Sequence, residues 1–130
     1  MAVAPVVKIL FVEYNPATCR SMSFVFETID NMDLIGMAEN DEEALAFCEE
    51  MHPDIAIIDL GFPDREGLFI SRLIKKRFPD IRLVLLIGFN DNRLSRQAEN
   101  DGASVFLQKD ATIEELIAAI QNALLLRQDC

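Results

Sequence analysis

Apolar residues along this chain fall into two alternating kinds of run. The first kind is short, continuous and rich in β-branched residues: Val6–Val12 (VVKILFV), Leu34–Ala38 (LIGMA), Ile55–Ile58 (IAII), Arg82–Ile87 (RLVLLI) and Ser104–Leu107 (SVFL). Runs of this length without alternation predict strands buried on both faces of a parallel sheet. The second kind places apolar residues at helical spacing. Asn15-Pro16 supplies an N-cap and a first-turn proline for a helix reaching about Ile29, with Met22, Val25, Phe26 and Ile29 on its inner face. Asn40-Asp41-Glu42-Glu43 opens a second helix, with acids where they favour the helix dipole, and Ala44, Leu45, Phe47, Cys48 and Met51 are available for packing. A third covers about Glu66 to Phe78, turning Leu73, Ile74 and Phe78 inward and Arg72, Lys75 and Lys76 outward. A weaker fourth is predicted at Asn92–Asp101, closed by Gly102, and the capping box Thr112-Ile113-Glu114-Glu115 starts a last helix through about Leu126. Strands that alternate with helices are joined by right-handed crossovers and lie parallel. The expectation is a doubly wound α/β domain built on a five-stranded parallel sheet.

Composition narrows the function. The net charge of −10 and pI near 4.4 exclude the broad basic face that non-specific nucleic-acid binding requires. The densest basic stretch, Lys75-Lys76-Arg77, is interleaved with the apolar positions of a helix. Three cysteines without a close pair give neither a disulfide framework nor a zinc pattern. Cys19 and Cys48 sit among apolar neighbours in helical patterns and read as buried thiols, while Cys130 is the last residue. There is no signal-peptide layout and no apolar run approaching a membrane span. The expectation is a reduced, cytoplasmic protein with no membrane contact, one domain over residues 1–130 with its core from about residue 7 to 126.

The chemistry gathers at the ends of the strands. In an open parallel sheet, ligands bind in the crevice outside the carboxyl ends of the strands. The stretch PDIAIIDLGFPDREG ends its apolar run on Asp59, before Gly61 and Pro63 break the pattern. Taken alone, Asp59 reads equally as a loop cap and as a functional carboxylate. The same edge also carries Glu13-Tyr14 after the first strand, Ile87-Gly88 after the fourth and Lys109 past the fifth. In isolation Lys109 reads as a surface lysine beside Asp110. Converging on one crevice, the two acids offer oxygen to a hard divalent ion and Lys109 offers charge to an anion.

These segments resemble the receiver domain of response regulators, a flavodoxin-like module that accepts a phosphoryl group on an aspartate. The likeness rests on VKILFVEYNP at the opening, PDIAIIDLGFPDREGL around the acceptor position and GASVFLQKDATIEELIAAI at the end. It spans about residues 7 to 126, and the Asp59-to-Lys109 spacing makes it specific. Receivers that precede helix-turn-helix output domains resemble it most. The resemblance implies that Asp59 is the phosphoacceptor and that Lys109 contacts the phosphoryl group. It implies a Mg²⁺ seat from Glu13, Asp59 and the Gly61 carbonyl, and an aromatic switch at Phe106, a residue that simple packing would also explain. The implied partners are a histidine kinase or phosphotransfer protein, with a homodimer face on the last two helices and the fifth strand.

Two positions depart from the family pattern. Its first strand usually ends in two acids, the second a direct magnesium ligand, whereas this chain has Glu13 and Tyr14. A phenol is neutral at pH 7 and a poor ligand for a hard ion. The family's Thr/Ser position on the fourth strand falls on Ile87, which cannot donate a hydrogen bond. The lost hydrogen bond to a charged group is worth about 1.5–3 kcal/mol, comparable to the bias that moves a two-state equilibrium. Gly88 stands where a small residue is usual. Three functions follow: a phosphoacceptor receiver impaired in Mg²⁺ binding and switching, a pseudo-receiver that binds partners without phosphorylation, and a small hydrolase with Asp59 as nucleophile. Dehalogenase-like phosphatases need a second aspartate two positions on, where this chain has Gly61, so the hydrolase ranks last and a non-enzymatic role is expected.

Overall fold

All five apolar runs become strands of one sheet. The computed structural model describes residues 6–60, 66–88, 96 and 105–125. Strands β1 (Val7–Val12), β2 (Met32–Ala38), β3 (Ile55–Asp59), β4 (Arg82–Ile87) and β5 (Val105–Gln108) pair in parallel in the order β2-β1-β3-β4-β5. The described residues also form four helices: α1 (Pro16–Glu27), α2 (Asp41–Met51), α3 (Glu66–Arg77) and α4 (Ile113–Leu125). Of the expected helix at Asn92–Asp101 only Arg96 is among the described residues; its closing Gly102, and Cys130, fall outside them.

Capping residues begin the helices where the sequence places them. Asn15 Oδ1 accepts from Ala17 N–H at 2.9 Å, with Pro16 in the first turn of α1. Asn40 Oδ1 accepts from Glu43 N–H at 2.9 Å, and the Glu43 carboxylate accepts from Glu39 N–H at 2.8 Å. Thr112 and Glu115 bond reciprocally at 3.1 Å ahead of α4. Two boundaries differ from expectation. α1 stops at Glu27, because the Thr28 hydroxyl and N–H both turn back to the Val25 carbonyl. β2 starts at Met32 rather than Leu34: Asn31 takes a left-handed φ of 65°, and its carbonyl accepts from Val7 N–H, bringing Met32 level with Val7. Asparagine tolerates that conformation better than most residues.

Strand alternation divides the core into two layers. Leu10, Val12, Ala56, Ile58, Leu83 and Leu85 face α2 and α3. Ile9, Phe11, Ile55, Ile57, Val84 and Leu86 face α1 and α4. β3 is fully buried along its length, as its unalternating sequence requires. Cys19 and Cys48 are buried thiols, and burial pushes Cys48 up to about 11, so it stays protonated and inert.

One glycine fixes how α3 meets the end of β3. A Cβ on Gly67 would collide with the Asp59 carbonyl oxygen and lie 2.9 Å from Leu60 Cα. Both obstacles are backbone and cannot rotate away. Gly67→Ala therefore pushes α3 off the strand that carries Asp59. We expect a loss of about 1–3 kcal/mol, measured as a lowered urea midpoint at unchanged slope.

Candidate functional site

The strand order reverses between β1 and β3, the position where doubly wound sheets open their ligand crevice. Alternation carries past the strand ends and decides which side chains meet there. Glu13 follows Phe11 by two and Asp59 follows Ile57 by two, so both point to the α1/α4 side, as does Lys109, two beyond Leu107. Backbone bonds hold this alignment beyond the strands proper. Glu13 N–H donates to the Ala38 carbonyl, Leu60 N–H to Leu86, and Lys109 N–H to Ile87, at 2.9, 2.9 and 3.1 Å.

Asp59 is 1% exposed, and the Lys109 ammonium lies 2.9 Å from its Oδ1. The lysine side chain remains 43% exposed, so water screens the pair from outside while the carboxylate is enclosed. Glu13, 4% exposed, sits with its carboxyl hydrogen-bonded to Asp59 and its Oε1 accepting from Asn15 N–H at 3.2 Å. Burial, then the hydrogen bond to Asp59 and the charge of Asp59, push the Glu13 carboxyl up to about 7; the Asn15 N–H and Lys109 pull weakly the other way. The Glu13 carboxyl, buried beside Asp59, thus holds its proton up to near neutrality. The three groups line a cleft of about 240 Å³ together with Tyr14, Asn15, Thr18, Met22 and Leu86.

Ile87 and Phe106 lie elsewhere. Both pack against the α2/α3 layer, and Phe106 pairs in register with Leu85, two residues before Ile87. The acid cleft and the aromatic position are therefore on opposite faces of the sheet. A Cβ on Gly88 would meet nothing within 4 Å among the described residues, so the space there does not depend on glycine. Gly61 is outside the described residues.

A Mg²⁺ seat needs hard oxygen donors aimed at a common point. Among the described residues no group of three or more acidic, histidine or cysteine side chains could hold a metal. Glu13 is hydrogen-bonded to Asp59, Asp59 is also held by Lys109, and Tyr14 offers a phenol at a position 47% exposed. A proton on the Glu13 carboxyl competes with a divalent ion for the same oxygens.

Sequence reasoning missed the direct pairing of Glu13 with Asp59, and it missed Thr18 altogether. The signal for the first was present: counting by twos from Phe11 and Ile57 puts the two acids on one face. Thr18 enters through the Asn15 cap, which sets the first turns of α1 over the strand ends.

Comparisons with known proteins agree with this fold. The family model for the response regulator receiver domain matches residues 9–121. The transcriptional regulatory protein YdfI of Bacillus subtilis (strain 168) is 32% identical over 126 residues, covering 94% of this chain and 59% of its own length. LnrK of the same organism, also a transcriptional regulatory protein, is 26% identical over 116 residues, covering 89% of this chain and 53% of its own. The chain thus spans a little over half the length of these relatives. Among solved structures, the response regulator domain of Thermotoga maritima CheB superposes with a TM-score of 0.82 at 20% identity, covering 94% of this chain and 98% of that one. At that identity the likeness speaks for the fold. No helix among the described residues is long and apolar enough to cross a membrane.

Proposed function

The chain belongs to the response regulator receiver domain family, and from that premise we propose that Asp59 is its phosphoacceptor, in a cleft that holds Mg²⁺ weakly and signals weakly to Phe106. The observation that carries this reading is the enclosed Asp59 carboxylate with the Lys109 ammonium 2.9 Å away. An Asp59 oxygen attacks the phosphorus of a phosphoryl donor, and the bond to the donor's leaving group breaks with its electron pair on that group. No oxidant or reductant takes part. Lys109 meets the negative charge of the incoming phosphoryl oxygens, a role for which a compact ammonium on a flexible stem is suited.

The natural donor is a histidine kinase or a phosphotransfer protein, and the domain acts as a signalling module rather than an enzyme. The named relatives are transcriptional regulators of whose length this chain covers 53–59%, which supports an output in transcription; contact between copies would use β5, α4 and the helix expected at Asn92–Asp101. A second reading is a pseudo-receiver that binds partners without phosphorylation. Two observations favour it: Ile87 has no hydroxyl, and the acids that would hold Mg²⁺ hold each other.

Incubation with acetyl phosphate and Mg²⁺, followed by intact mass, separates the two. We expect one phosphoryl group on the parent, with acetate released, and none on Asp59→Asn. A folded parent that stays unlabelled while a standard receiver is labelled alongside would establish the pseudo-receiver.

A further inference from the structure

We propose that the Thr18 hydroxyl, presented by α1, donates the hydrogen bond to the Asp59 phosphoryl group that Ile87 cannot give. This rests on Asp59 being the phosphoacceptor. Four observations lead to it. Thr18 is half-buried and lines the same cleft as Glu13, Asp59 and Lys109. Its place is fixed by the start of α1, where Asn15 caps Ala17 N–H and the Asn15 carbonyl accepts from Cys19 N–H at 3.1 Å. The Cys19 thiol, one residue on, reaches the Glu13 carbonyl at 3.5 Å, so this turn is tied to the strand end that bears the acids.

The fourth observation concerns what the hydroxyl already does. Thr28 donates to the Val25 carbonyl and Thr112 accepts from Glu115 N–H, whereas the Thr18 hydroxyl makes no hydrogen bond among the described residues. A threonine hydroxyl rotates to suit an acceptor, so it can turn into the cleft without moving the backbone. A phosphoryl group brings three strong acceptor oxygens and added negative charge into a cleft that already holds two acids and one ammonium. A neutral donor there satisfies an oxygen without adding a charge that must be desolvated. Ile87, by contrast, packs on the opposite face of the sheet and has nothing to donate. The hydroxyl is thus supplied from α1 instead of β4.

The test compares phosphoryl uptake from acetyl phosphate by the parent, Thr18→Val, Thr18→Ser and Tyr14→Phe. Thr18→Val keeps the shape and removes the donor. We expect its uptake rate to fall at least about tenfold, the size of a hydrogen bond to a charged group, with the urea midpoint within error of the parent. Thr18→Ser, which keeps the hydroxyl, is expected within about twofold of the parent. Uptake by Thr18→Val equal to the parent overturns the proposal and leaves Asp59 as acceptor intact. Equal losses in the valine and serine variants also overturn it, since packing and not the hydroxyl would then be responsible. So does a loss confined to Tyr14→Phe, which would assign the donor to the phenol. A parent that takes up nothing removes this proposal together with the phosphoacceptor reading.

Discussion

Glu13→Gln will stabilise the protein at pH 8 by about 3 kcal/mol relative to the parent, and the gain will vanish near pH 4.5. The parent's Glu13 carboxyl is buried against Asp59 and titrates near 7, against 4.5 for an ordinary glutamate. Its folded-state value is raised, so between 4.5 and about 7 the folded protein binds more proton at this site than the unfolded chain does. Stability from this group is therefore full below 4.5 and is lost as pH rises through about 7. Glutamine reproduces the protonated acid: its oxygen can accept from Asn15 N–H and its amide can donate to Asp59. It has no charge to desolvate at any pH. The measurement is the difference in urea unfolding free energy between variant and parent from pH 4.5 to 8, which cancels the many other carboxylates. A difference that is flat with pH would mean that Glu13 ionises as an exposed acid, and the description of Glu13 as protonated up to near neutrality would fall.

The fold was legible because its signals are local. Unalternating runs mark strands covered on both faces, and Asn15-Pro16, Asn40 and the Thr112 capping box mark helix starts, each of which holds in the structure. The edge strand β2 was the least legible, since its start depends on Asn31 turning left-handed and on register with Val7, a partner distant in sequence. Asp59 and Lys109 were legible at the site because a charged residue at the end of an apolar run stands out. Their 2.9 Å contact was not, because it requires the order β3-β4-β5 to bring β5 within reach. The raised proton affinity of Glu13 was not legible either, because it is set by burial beside a second acid, and burial is a property of the assembled sheet. Thr18 lacked even a type signal: a threonine in a helix is ordinary until the helix is seen to lie over a cleft.

Opposite placement of the cleft and Phe106 separates two effects that the sequence presented together, and substitutions at Tyr14 and Ile87 should resolve them. Tyr14→Asp adds a third carboxylate beside Glu13 and Asp59, on the side that faces the cleft. Because Mg²⁺ and a proton compete for Glu13, the affinity gained should itself rise as pH passes through about 7. We expect Mg²⁺ binding at pH 8 to tighten at least about tenfold, read by titration calorimetry, with faster phosphoryl uptake. Ile87→Thr acts differently. Its side chain lies in the α2/α3 layer with Phe106, so a hydroxyl there restores a donor where the fourth strand adjoins the aromatic position, without adding a metal ligand. Alone it should leave Mg²⁺ affinity unchanged and alter the chemical shifts of the Phe106 ring only after phosphorylation. The double variant should combine tighter metal binding, faster uptake and a phosphorylation-dependent Phe106, since the two sites act on separate steps. If the double substitution changes neither Mg²⁺ affinity nor uptake, then Tyr14 and Ile87 are not what limits the site. Burial of the Glu13 carboxyl against Asp59, with the Lys109 ammonium 2.9 Å from Asp59, would then be the barrier to both ion and phosphoryl group.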